Sequence, residues 1–154
     1  MFGIKFIKFD ATSYVVHYKK GKIKREGKGL SFYYLNKRSS IVAIPLGSDD
    51  VQFIFNELTD DFQTISIQGQ VTYKINNPKQ LAELLDFTVN SKGHYNKSHK
   101  EKIDQRLINE AQTATSSFIK TMNLKEAIRS AKKIEQQIID GLSNSMAVQM
   151  LGIE

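Results

Sequence analysis

His94 and His99 stand five residues apart, with Tyr95 and Asn96 between them, in a polar stretch that opens "NSKGHYNK" (90–97). Imidazoles at that spacing serve a metal ion only with a third ligand, and the chain has no cysteine to supply one. A solvated loop fits them better. His17 lies among tyrosines and valines and reads as a packing residue or as a group titrating near neutrality. The pairs Asp49/Asp50 and Asp60/Asp61 have the residue type for general acid–base work. That chemistry needs one carboxyl in an apolar pocket, whereas adjacent acids in turns stay ionised and accept hydrogen bonds from nearby backbone. "GKIKREGKG" (21–29) approaches a phosphate-binding loop but misses it twice. Five residues rather than four separate Gly21 from Gly27, and Gly29 stands where a hydroxyl must hold magnesium. No Gly-x-Ser-x-Gly elbow surrounds any serine. No catalytic set assembles, so the chain is expected not to be an enzyme and to use no cofactor, metal or small-molecule substrate.

The remaining chemistry belongs to surfaces. In "MFGIKFIKF" the apolar Phe2, Ile4, Phe6, Ile7 and Phe9 can embed shallowly while Lys5 and Lys8 meet acidic head groups. Each lysine near such a surface adds about 1 kcal/mol. Lys19, Lys20 and Lys22 extend this candidate membrane contact. The alternation at 2, 4 and 6 fits the first strand of a sheet equally well, and both readings stand. The basic stretch 19–38, with Tyr18, Phe32, Tyr33 and Tyr34, also has the residue types that bind single-stranded nucleic acid. Only Arg25 and Arg38 are arginines there, and adjacent tyrosines in a strand face opposite ways, which argues against nucleic acid. An adaptor that binds acidic protein partners through the same patch is the other alternative.

The net charge of +6 is unevenly spread. Residues 1–40 hold ten Lys/Arg against two acids, residues 41–90 two against seven, and residues 91–154 ten against seven. Such asymmetry draws one end to an anionic surface or sets copies of the chain head to flank, although a lysine-rich strand face that prevents mispairing is the plainer reading. No apolar run approaches the roughly 20 residues of a membrane-spanning helix. Lys5 and Lys8 interrupt the apolar start, and no small-residue cleavage site follows. The chain is expected to be soluble by itself and, within a longer protein, cytoplasmic and peripheral at a membrane face.

The elements that must position these residues change type at mid-chain. Tyr14, Val16 and Tyr18 alternate with Val15 and His17, "KKGK" (19–22) makes a tight turn, and "LSFYYL" and "SSIVAIPLG" read as strands, the latter an edge strand or one that ends at Pro45. In "TDDFQTISIQGQVTYKI" (59–75) Ile65, Ile67, Val71, Tyr73 and Ile75 share one face. Gly69 fills the remaining slot as a bulge or bend, and the strand is expected to reach about 40 Å. Helices follow. Asn77 caps and Pro78 opens the first, with Leu81, Leu84 and Leu85 on one face. Ser98 and Glu101 form a capping box before the stripe Ile103, Leu107, Ala111, Ala114, Phe118, Met122. Asn123 and Glu126 start a short turn, Ile134, Ile138, Leu142 and Met146 line the last helix, and Gly152 stands where a cap belongs. Ile103, Leu107, Phe118, Ile134, Ile138 and Leu142 are candidates for helix packing or for a face between copies.

Strands first and helices after predict an α+β fold, a twisted, mostly antiparallel sheet from the N-terminal half with amphipathic helices of the C-terminal half packed on it. Two subdomains sharing one core are expected, a β-rich 1–58 that carries the basic part and an α/β 59–154 with the long strand and three to four helices.

The ordered series "GKGLSFYYLNKRSSIVAIPLG", the long strand after "LTDD", "YKINNPKQLAELLDF" and the closing "MAVQMLGIE" resembles the SPFH or Band 7 family of stomatins, prohibitins and flotillins, over about residues 14–154. Phe62 stands where members often have a turn glycine, so a differently shaped turn is expected. Members generally carry a membrane anchor before this region and a coiled coil after it, and neither is in the chain. It is therefore expected to be a domain of a longer protein, monomeric or weakly associating without the coiled coil that multiplies weak contacts. The resemblance implies a non-enzymatic scaffold that assembles into rings or arrays at a membrane. Its implied partners are copies of itself, membrane lipids and client membrane proteins, including proteases.

Overall fold

The computed structural model describes residues 3–35, 38–97, 100–149 and 151–152; Phe2, Ser98 of the capping box and His99 lie outside them. Strands Ile4–Lys8 (β1), Ser13–Lys19 (β2), Lys22–Lys28 (β3), Ser31–Leu35 (β4), Ser39–Pro45 (β5), Asp49–Leu58 (β6) and Thr64–Tyr73 (β7) come first. Helix Pro78–Leu84 (α1), strand Thr88–Val89 (β8), and helices Lys100–Ile119 (α2), Leu124–Arg129 (α3), Ala131–Asn144 (α4) and Met146–Gln149 (α5) follow. The fold is α+β with antiparallel pairing, and the described strands form three sheets ordered β1-β4, β3-β2-β5-β8 and β6-β7.

The chain divides into two compact units, both discontinuous. Met1–Ser48, Lys74–Lys100 and Leu151–Ile153 make the first, and Asp49–Tyr73, Glu101–Met150 and Glu154 the second. The division does not fall at Leu58. Leu58 ends β6 in register with Thr64 of β7, so a cut there would separate strands that are bonded to each other.

In the first unit, period-two alternation sends Val15 of β2 and Ile41 and Ala43 of β5 to one side. There they pack with Ile7, Phe32 and Tyr34 of the β1–β4 pair and with Val89. Val16, Val42 and Ile44 take the opposite parity and are also buried, as is Leu81 of α1. Lys20 and Gly21 both have positive φ in the two-residue turn between β2 and β3, the geometry that matches strand twist. Asn77 caps α1 by accepting from the Gln80 N–H. Gly152 is a glycine for closeness as well as for its φ of 68°. A Cβ there would lie 2.6 Å from the Asn77 carbonyl oxygen, and its own carbonyl accepts from the Asn76 and Asn77 N–H groups at 2.9 and 3.0 Å.

In the second unit β6 and β7 pair over ten residues each, about 33 Å. The alternation beginning at Thr59 overstates β7, because Thr59–Gln63 is the hairpin turn. Gly69 marks no bulge: its register with Phe53 is unbroken, and a Cβ there would lie 2.6 Å from the Phe53 ring. Phe53 stacks on Phe55 at 4.7 Å, and both join Ala111, Ile119, Met122, Ala127, Ile134 and Ile138 in one core. The buried stripe of α2 keeps a uniform spacing of four, through Ile103, Leu107, Ala111, Thr115 and Ile119, instead of stepping to Ala114 and Phe118. Thr115 is tolerated because its hydroxyl donates to the Ala111 carbonyl at 2.7 Å. Ala114 instead meets Gly141 of α4 at a distance that leaves no room for a methyl group. Met146 is exposed, since α4 ends before Ser145.

Candidate functional site

The β1–β4 pair sorts its side chains cleanly. Ile4 faces Leu35, Phe6 faces Tyr33 and Lys8 faces Ser31 on one side; Lys5 with Tyr34 and Ile7 with Phe32 take the other. The inward side joins the core. The outward side does not: Ile4, Phe6 and Tyr33 are 60%, 52% and 68% exposed, and the Phe6 and Tyr33 rings lie 4.9 Å apart. Neither strand contains an acid. The segment is thus a strand and, on one face, an exposed apolar surface. Ile7 and Phe9 pack inward instead of embedding, and Lys5 is half-buried on the opposite side from Ile4 and Phe6. Of the turn lysines, Lys20 and Lys22 are exposed and Lys19 is half-buried.

The candidate helix face is placed differently. Ile103, Leu107, Ile134 and Ile138 are buried in the single chain, with Phe118 and Leu142 packed against the core of the second unit. Packing within the chain occupies the first four, while Phe118 and Leu142 are half-buried.

Charge follows the units more sharply than the linear blocks. The first unit holds 15 Lys/Arg against 4 Asp/Glu, a net +11, and the second 7 against 12, a net −5.

At the Ile4–Leu35 end of β1–β4 a depression of about 200 Å³ opens, lined by Ile4, Tyr33, Tyr34, Leu35, His17, Lys19, Lys24 and Ser39. His17, 1% exposed, stacks on Phe32 at 4.7 Å and meets Tyr34 edge-on. Arg25, its partner across β2–β3, lies over the Phe32 ring at 4.9 Å. Its guanidinium reaches the His17 Nδ1 at 3.4 Å and donates to the Tyr33 carbonyl at 3.2 Å. Burial, and then the charges of Arg25, Lys24 and Lys19, hold the His17 pKa below its usual value, so the ring is neutral at pH 7. Pairing slips between His17 and Tyr18, and the extra residue is Lys24, which lines the depression. The sequence singled out His17 but not this slip, whose only trace is a lysine-rich strand.

Asp49 and Asp50 open β6 instead of standing in a turn, whereas Asp60 and Asp61 lie in the β6–β7 turn. Asp49 takes the Asp50 N–H, Asp50 takes the Thr72 hydroxyl, and Asp61 takes the Leu124 N–H at the start of α3. His94 sits in a turn where its N–H donates to the Asn90 side chain. No cluster of three or more metal-ligating side chains occurs among the described residues. Phe62 has a left-handed backbone, φ 59°, with its ring 84% exposed.

Antiparallel strands followed by amphipathic helices define an α+β module. The model of the SPFH domain / Band 7 family matches residues 7–154, and the chain belongs to that family. Its members are membrane-associated and generally non-enzymatic scaffolds that oligomerise. The match begins within β1, earlier than the resemblance read from sequence. No curated protein matches the chain. No helix among the described residues is long and apolar enough to cross a membrane.

Proposed function

We propose that this chain is a non-enzymatic scaffold module of a larger, membrane-associated oligomeric protein. Through it the complete protein organises membrane microdomains or client membrane proteins at a cytoplasmic membrane face. The first unit meets the membrane through the outward side of β1–β4, where Ile4, Phe6, Tyr33 and Leu35 enter the interface and Lys8, Lys20 and Lys22 meet anionic head groups. The observation that carries this is an apolar strand face left exposed on a unit of charge +11. Burying one large side chain is worth about 1.5–3 kcal/mol and each lysine about 1 kcal/mol, so the two contributions are comparable and neither alone holds the protein.

Co-sedimentation with anionic and neutral vesicles, beside a binding assay with single-stranded oligonucleotides, tests the reading. Expected is binding to anionic vesicles that weakens with salt and no comparable binding to oligonucleotides. Tight oligonucleotide binding with a steep salt slope would transfer the basic surface to nucleic acid. Indifference to both would favour an acidic protein partner.

A further inference from the structure

Arginine can only donate, so the contact from Arg25 makes the His17 Nδ1 an acceptor, and in the neutral ring the proton therefore sits on Nε2. That Nε2–H is buried and has no hydrogen-bond partner among the described residues. An unmatched buried donor is costly and rare in a settled core. Here it belongs to a residue that lines an open depression, on the same strand face as Lys19 and beside the bulged Lys24. One N–H donor and two ammonium groups make a site for an acceptor carrying about two negative charges and several oxygens, which describes a phosphate monoester. At about 200 Å³ the depression is smaller than the roughly 300 Å³ at which pockets begin to hold whole drug-sized ligands, so it suits a single head group. The other walls, Ile4, Tyr33 and Leu35, continue onto the exposed apolar side of β1–β4. A free anion gains nothing from that continuity, whereas an acyl chain does.

We propose that this depression is a subsite for the phosphate monoester head of an anionic amphiphile, held by His17 Nε2–H, Lys19 and Lys24, with its chain laid along Ile4, Tyr33 and Leu35. The proposal rests on the membrane reading only for the source of the lipid. It adds selectivity among lipids of equal charge.

Two measurements on the whole chain test it. In the first, the His17 ring signals are followed by nuclear magnetic resonance against dihexanoyl phosphatidic acid, dihexanoyl phosphatidylcholine and inorganic phosphate. A saturable shift with phosphatidic acid, about tenfold weaker with inorganic phosphate and absent with phosphatidylcholine, is expected. An equal response to inorganic phosphate would replace the lipid with a free anion and overturn the amphiphile, and no response at all would overturn the site. In the second, vesicles of matched surface charge carry either phosphatidic acid or phosphatidylglycerol. The wild-type chain should prefer phosphatidic acid about tenfold. His17→Phe, which keeps the stacked ring, and the exposed Lys24→Gln should each lose that preference while retaining binding to phosphatidylglycerol and an undiminished melting temperature. Equal wild-type binding to both vesicles would sink the subsite and leave the membrane reading standing. Saturable short-chain binding with no vesicle binding would do the reverse.

Discussion

Phe62 keeps its left-handed backbone because its turn is tied at both ends. The Thr59 N–H donates to the Gln63 carbonyl, the Phe62 N–H to the Thr59 carbonyl, and the Asp60 N–H to the Met122 carbonyl. A non-glycine residue in that conformation costs roughly 1–2 kcal/mol, and a ring so exposed recovers little by packing. Phe62→Gly should therefore raise stability by about 0.5–1 kcal/mol, the relief exceeding the entropy that glycine adds to the unfolded chain. A higher denaturant midpoint at unchanged slope is the readout. His17 gives the opposite kind of prediction. Its pKa is depressed in the folded state, so the unfolded chain takes up the proton first as pH falls. Stability should then decline as pH drops below about 6.5 and be indifferent to His17 above about 7.5. Tyr34, the other titratable ring against it, stays protonated throughout because burial raises its pKa. His17→Phe should flatten that limb of an unfolding profile measured between about pH 5 and about pH 8.

Elements were legible where one rule dominated. Asn77 with Pro78 announced α1, alternation announced β2, and an apolar run announced β5. What stayed hidden depended on partners distant in sequence. Thr115 looks polar until its hydroxyl finds the Ala111 carbonyl, and the two residues of β8 are too short to show a period. Gly69 suggested a bulge, yet it exists to admit the ring of Phe53, sixteen residues earlier. That makes Gly69→Ala a test of the element. Overpacking against Phe53 costs roughly 1–3 kcal/mol, more than the roughly 0.4–1 kcal/mol gained from a stiffer unfolded chain. Calorimetry should register a net loss of about 1–2 kcal/mol. A gain would mean that the ring moves aside freely. The candidate site was half visible in the same way. The apolar and basic residue types of β1 could be read off, whereas the side each faces came from pairing with β4.

For the whole molecule, the +6 net charge conceals a first unit at +11 and a second at −5. Association with an anionic surface should follow the unit that meets it, so its salt dependence should be steeper than the total suggests. Lys20→Glu with Lys22→Glu replaces two favourable charges by two unfavourable ones. At about 1 kcal/mol per lysine it should weaken vesicle binding by at least about tenfold, read by co-sedimentation at low salt, without altering the melting temperature. The clasp between Gly152 and the Asn76–Asn77 backbone has a consequence for synthesis. At about 5–20 residues per second the ribosome takes roughly 4–15 s to travel from Asn76 to Gly152, and until then two amide groups of the first unit await their acceptor. The basic, apolar-faced unit begins to emerge before the second unit yet needs residues that follow it, so a nascent chain stalled before Leu151 would present it incomplete.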